Sequence, residues 1–93
     1  MLHELADVWV FCGAGARFPS GVFRARSSAE DWIGRYRLSG TLTKYPLDEG
    51  VYDWAVRGGF FEPKRAEHSS ATFVQGFSSA SQEHYHYSDG VLD

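Results

Sequence analysis

The chain has 93 residues, of which 43% are hydrophobic and 16% aromatic, and its net charge is −3 from 9 basic and 12 acidic residues. The acidic balance and the lack of any basic run argue against binding to nucleic acid or to an anionic membrane surface. No apolar stretch approaches the ~20 residues that cross a bilayer.

Length and cysteine content also limit the organisation of the protein. A chain this short builds one core, so we expect a single domain over residues 1–93, with frayed ends at 1–6 and 91–93. The single cysteine, Cys12, cannot form an internal disulfide. A reducing, cytoplasmic location fits this best.

The first quarter of the chain predicts two strands. Asp7–Cys12 is rich in β-branched and aromatic residues and is followed by a Gly-rich connection. Ser20–Ala25 has a similar character. The simplest arrangement is an antiparallel hairpin with a long connection.

A helix over Ala29–Arg37 is expected next, because its apolar residues recur at the three-and-four spacing of one helical face. Ser27 or Ser28 offers a side-chain oxygen as the N-cap. Gly40 is expected to close the helix.

The remaining elements are shorter. Thr41–Tyr45 alternates as a strand does, and with the preceding helix it forms a candidate βαβ crossover. Glu49–Arg57 predicts a helix capped by Asp48, although a strand through Val51–Trp54 fits nearly as well. Ser70 can cap a third helix that carries the apolar residues Phe73, Val74 and Phe77.

The last strand is predicted over His84–Tyr87 from its strict alternation. The order of elements is then ββαβααβ. This order predicts an α+β fold in which one small mixed sheet has helices on one face, a sandwich of two layers.

His84 and His86 are the main candidate metal ligands, because alternate residues of a strand lie on one face about 7 Å apart. Glu83 would be the third ligand. A zinc site needs three or four ligands in a suitable spacing, and the other histidines and acids show no such pattern. We therefore expect no metal and no cofactor, with the tyrosines packed inward and the histidines in water.

Two other candidate sites lie near the first strand. Gly13-Ala14-Gly15 lacks the third glycine and the following helix of a dinucleotide-binding loop. Arg17 is a candidate anion-binding residue or the partner of an acid elsewhere in the fold. Cys12 is best interpreted as a small hydrophobic residue rather than a catalytic thiol.

The aromatic residues provide the last group of candidates. Trp54, Phe60 and Phe61 are most simply core residues, but an excess of aromatics on a small domain also forms protein-binding patches. Asp53, beside Trp54, belongs to the first turn of the second predicted helix. We include all four among the candidate binding residues.

Three segments of the chain resemble a family of small uncharacterised bacterial proteins. They are Val8–Phe11 with Gly13–Phe23, Tyr45–Asp48 with Gly50–Ala55, and Phe77–Tyr87. The resemblance covers nearly the whole chain. It implies no activity, since no function is known for that family.

Three functions remain open from the sequence. The first is a non-enzymatic cytoplasmic module that recognises a protein partner, as a regulatory, accessory or immunity-type protein. The second is a small metal-dependent or hydrolytic enzyme built on His84, His86 and Glu83. The third is a self-associating structural domain.

Overall fold

Five strands form one antiparallel sheet in the computed structural model, which describes residues 6–93. The strands are β1 (Asp7–Gly13), β2 (Gly21–Phe23), β3 (Gly40–Pro46), β4 (His84–Ser88) and β5 (Val91–Leu92). The helices are α1 (Arg26–Tyr36), α2 (Val51–Arg57), a 3₁₀ helix (Ala66–Ser69) and α3 (Ala71–Gln75). The predicted α+β class is confirmed, and β5 is added to the predicted order. Apart from Ala6, the expected fraying of residues 1–6 lies outside the described residues.

The chain divides into two compact units. The sheet unit consists of the residues before Asp48 together with Gln82–Asp93, and it contains all five strands and α1. The inserted unit is Asp48–Ser81, which contains α2, the 3₁₀ helix and α3.

The sheet has the spatial order β2-β1-β3-β4-β5, and every pairing in it is antiparallel rather than mixed. The strands β2 and β3 both run opposite to β1, which lies between them. They are therefore parallel to each other without being neighbours. The predicted crossover through α1 passes over β1 instead of joining adjacent strands.

One face of the sheet packs against α1. The fully or nearly fully buried residues of this core are Trp9, Phe11, Ala29, Ile33, Leu42 and Tyr87. Register places Phe11 opposite Leu42 and Leu42 opposite Tyr85, so three neighbouring strands present large side chains to the same side. This common face is what alternation along each strand predicts.

The ends of α1 differ from the prediction. The helix begins at Arg26, with Ala25 as its N-cap and no side-chain hydrogen bond there, so the two serines expected as caps lie in its first turn. It ends at Tyr36, and its C-cap Arg37 has a left-handed φ of 57°. Gly40 instead begins β3.

A hairpin connects β4 to β5. Asp89 and Gly90 have φ values of 51° and 86°, the left-handed pair of a type I′ turn. The amide of Gly90 donates to the Leu38 carbonyl at 2.8 Å, which fixes the turn against the end of α1. Residues 91 and 92 are therefore paired in a strand, where the sequence analysis expected a frayed end.

In the inserted unit, both predicted helices are present. Val51–Arg57 is a helix, so the alternative strand is wrong, and its N-cap is Gly50 rather than Asp48. Ser70 caps α3 by accepting a hydrogen bond from the Phe73 amide at 3.2 Å, as predicted. None of the helices within residues 6–93 is long and apolar enough to cross a membrane.

Candidate functional site

Five rings pack together in the inserted unit and form what we call the aromatic cluster. Its members are Tyr52, Phe61, His68, Phe73 and Phe77. Neighbouring ring centroids lie 5.1 to 6.2 Å apart, within the range for favourable tilted and edge-to-face pairs. All five residues are half-buried, and Ala55 is the only buried residue described in this unit.

Local structure brings these rings together. Phe73 lies in α3 and Phe77 two residues after its end, and their ring centroids are 5.8 Å apart. The amides of Phe60 and Phe61 both donate to the Ala55 carbonyl, which turns the chain back after α2. In the 3₁₀ helix, His68 Nδ1 accepts from the Lys64 amide at 2.9 Å and holds the ring beside Phe61.

An open cleft of about 740 Å³ borders the cluster, and we call it the aromatic cleft. It is lined by the rings of Phe60, Phe61, Phe73 and Phe77 together with Thr72, Gly76 and Ser78–Ser81. No side chain in this lining is charged. The cleft combines apolar walls with hydroxyl groups, which is the composition of sites that hold uncharged apolar groups.

Phe60 forms the most exposed wall of the cleft. Its side chain is 52% exposed, and its other face stacks on Trp54 with ring centroids 5.0 Å apart. Phe60 and Phe61, two of the predicted binding residues, therefore line the same site. Trp54, a third, packs against the Phe60 ring without lining the cleft. Asp53 is exposed on α2 and does not line the cleft.

Much of this site lies outside the predicted binding residues. The sequence places Phe73 and Phe77 on the apolar face of a helix, and it marks neither Tyr52 nor His68 as a binding residue. The available signal was the low apolar content around them: between Glu62 and Gln82 the large apolar residues are Phe73, Val74 and Phe77 alone. So few residues cannot cover one another, and their rings remain half-buried.

His84 and His86 lie on the opposite face of β4 from the half-buried Tyr85 and the buried Tyr87, as the alternation predicts. Their ring centroids are 5.4 Å apart and both side chains are exposed. His84 Nδ1 lies 2.7 Å from the Gln82 carbonyl oxygen, and His86 Nδ1 lies 3.3 Å from Thr41 Oγ1.

Glu83 does not converge with this histidine pair. Its carboxylate accepts a hydrogen bond from the Tyr85 hydroxyl and lies 3.4 Å from Lys44 Nζ, on the tyrosine side of β4. The hydrogen bond from the Tyr85 hydroxyl is the main cause that lowers the pKa of the Glu83 carboxyl, and Lys44 lowers it further. Within residues 6–93 no three histidine, cysteine, aspartate or glutamate side chains are placed to hold one metal ion.

The tyrosines of β4 connect the strand to α1. The Tyr87 hydroxyl donates to Glu30 at 2.6 Å, and burial, together with this carboxylate, raises the pKa of Tyr87 to about 12. The Arg26 guanidinium stacks over the Tyr85 ring, 3.6 Å from its centroid. These groups are each satisfied by a neighbour, which is typical of a structural network.

A smaller cleft of about 430 Å³ in the sheet unit includes Cys12 and His86 in its lining. The Cys12 thiol is directed to the Ala16 carbonyl at 3.8 Å. The His86 ring pairs with Thr41. Cys12 and His86 thus each contact another group rather than one another.

Arg17 lies in the loop between β1 and β2. Its side chain is exposed and makes no hydrogen bond or ion pair with any residue from 6 to 93. The structure therefore leaves this predicted binding residue available to a partner.

Comparison with known proteins places the chain in one family. Residues 8–93 match the model of a domain of unknown function, DUF7710, so the chain belongs to that family. No curated protein and no solved structure matches it.

Proposed function

We propose that this DUF7710 protein is a small, non-enzymatic binding module that recognises a protein partner through the aromatic cleft. The observation that carries the proposal is an open cleft walled by four phenylalanine rings, one of which, Phe60, is 52% exposed. Monomeric proteins rarely leave such apolar surfaces uncovered unless they bind something.

The chemistry of the cleft indicates what its occupant presents. Because no charged side chain lines the cleft, a charged group entering it would lose its hydration without compensation. A large aliphatic or aromatic side chain of a polypeptide meets the walls instead, and burying one is worth roughly 1.5–3 kcal/mol. Ser78, Ser79 and Ser81 supply the polar part of the lining beside these walls.

The setting proposed for this module is the bacterial cytoplasm, in a regulatory or accessory role such as that of an immunity protein. The free thiol of Cys12 is compatible with a reducing compartment. The alternative of a metal-dependent or hydrolytic enzyme has less support, since Glu83 faces away from His84 and His86.

Selection from a library of random peptides displayed on phage tests the proposal. We expect enriched peptides to share a large apolar residue at one position. Phe60→Ser should weaken their binding at least tenfold, about 1.4 kcal/mol, because it removes a wall of the cleft. Val74→Ser is the matched control, since Val74 is 38% exposed on α3 and does not line the cleft.

Two results would contradict the proposal. One is a selection that enriches no apolar position after repeated rounds. The other is a set of peptides whose affinity is the same for the parent and for Phe60→Ser. Circular dichroism of both variants shows that the comparison is made between folded proteins.

A further inference from the structure

The loop between β1 and β2 presents an aromatic side chain to solvent. Every residue from 14 to 20 is exposed, and Phe18 is 74% exposed, more than any other large hydrophobic side chain within residues 6–93. No ring of the sheet unit packs against it among the described contacts. Its exposure has no explanation in the packing of this unit.

The loop holds Phe18 in a defined position. The Ala14 amide donates to the Ser39 carbonyl at 3.0 Å and the Ser20 amide donates to the Phe11 carbonyl at 2.9 Å, so both ends of the loop are tied to the sheet. Pro19 further restricts the backbone after Phe18. A side chain presented in this way loses less conformational entropy on binding than one on a mobile tail.

The charged residues immediately beside Phe18 and Phe61 in the sequence have opposite signs. Arg17 immediately precedes Phe18, while Glu62 immediately follows Phe61 in the wall of the aromatic cleft. Both charged side chains are exposed, and neither forms an ion pair in the described part of the chain. The side chain that follows Phe61 in sequence is thus an anion and the one that precedes Phe18 is a cation, and these signs attract when the two segments meet.

We propose that the occupant of the aromatic cleft is a second copy of this chain, which inserts Phe18 and brings Arg17 to Glu62. This inference rests on the proposed function, because it names the partner of the same cleft. The contact is heterologous, because the loop of one copy meets a different surface, the cleft, on the other. Two copies can exchange loops reciprocally and form a dimer, or further copies can add and form longer assemblies. A single loop buries less than a standard interface, so the association is weak and depends on concentration.

Sedimentation velocity of the full chain, from about 10 µM to about 1 mM, tests this inference, since that range spans weak association. We expect the parent to associate as its concentration rises, and Phe18→Ser and Phe60→Ser each to remain monomeric. Val22→Ser is the matched control: Val22 is 65% exposed on β2, outside the loop, and this variant should associate like the parent.

Mixing the two inactive variants gives the sharpest result. The intact cleft of Phe18→Ser can accept the intact loop of Phe60→Ser, so an equal mixture should form dimers although neither variant does so alone. Charge reversal is a second test that leaves both apolar surfaces unchanged. Arg17→Glu should weaken association about tenfold, and the double variant Arg17→Glu/Glu62→Arg should restore it.

A parent that is monomeric over the whole range overturns the inference, and so does association that Phe18→Ser leaves unchanged. The proposed function is judged separately by peptide binding. If the parent is monomeric but binds selected peptides in a manner that depends on Phe60, the cleft recognises another protein and only the self-partner is wrong. If neither copies nor peptides bind, both proposals are wrong.

Discussion

Tyr87→Phe removes one hydroxyl from the contact between β4 and α1 and leaves the ring in place. The hydroxyl donates to Glu30 at 2.6 Å, and the Tyr87 residue is only 5% exposed. A hydrogen bond to a charged acceptor contributes about 1.5–3 kcal/mol to stability. Glu30 keeps its contact with Arg26 at 3.3 Å, so we expect a loss near the lower end, about 1.5 kcal/mol at pH 7.

The same hydroxyl makes the stability of the parent depend on pH in the alkaline range. The pKa of Tyr87 is raised from 10.0 to about 12 in the folded protein. The folded state therefore holds this proton more tightly than the unfolded state does. Its contribution is complete below pH 10 and is lost as the pH rises toward 12. At pH 11 the loss is about 1.4 kcal/mol, because only the unfolded tyrosine is then largely ionised.

Urea unfolding at pH 7 and at pH 11, followed by tryptophan fluorescence, measures both effects. Other titrating groups are common to the parent and the variant and cancel in the difference between them. We expect the two proteins to differ by about 1.5 kcal/mol at pH 7 and to have nearly equal stability at pH 11. Tyr36→Phe, at a tyrosine that is 58% exposed, serves as the control and should change little at either pH. A difference that stays constant between the two pH values would refute the link between this hydroxyl and alkaline stability.

Two further predictions concern the hairpin strand and its turn. The double variant His84→Ala/His86→Ala should change the free energy of unfolding by less than about 1 kcal/mol, with or without a chelator, because both side chains are exposed. Thermal unfolding measures this change. A loss several times larger would mean that the two histidines bind a metal ion or another group. Gly90→Ala should cost roughly 2–3 kcal/mol in urea unfolding, since its φ is 86° and the new Cβ would lie 2.9 Å from the Arg37 Cα atom. Gly15→Ala has a similar φ of 76° but open space around it, so it should cost only about 1 kcal/mol, and equal losses at the two glycines would show that the contact with α1 contributes nothing.

The features that the sequence predicted are those that local pattern determines. The alternation within His84–Tyr87 places the tyrosines on one face and the histidines on the other, and this does not depend on which strand pairs with them. In the same way the spacing of apolar residues in α1 indicates a helix. The start of that helix was not predictable from its serines, because the helix begins at Arg26, one residue before the first of them.

Other features depend on residues that are distant in sequence. The predicted hairpin of β1 and β2 is present, but nothing local indicates that β3 pairs with the other edge of β1, since β2 and α1 lie between them in the chain. The strand β5 has only two residues, too few for propensity to indicate, although the Asp89-Gly90 pair was an available hairpin signal. The aromatic cleft was not predictable because its walls Phe60 and Phe77 come from segments separated in the chain by the 3₁₀ helix and α3.

The position of the inserted unit in the chain affects how the sheet can assemble. The Lys44 amide donates to the Glu83 carbonyl at 2.9 Å. The strands β3 and β4 are therefore neighbours in the sheet, although the whole of Asp48–Ser81 lies between them in the chain. Closing a connection of about 30 residues costs roughly 2 kcal/mol more than closing a four-residue turn.

That cost is modest, which makes the connection between β3 and β4 tolerant of changes in length and content. Replacing Asp48–Ser81 with a short glycine-rich turn should leave a sheet that still folds, while removing every wall of the aromatic cleft. Changes of length or sequence in this segment can therefore reshape the cleft without breaking the pairing of β3 with β4.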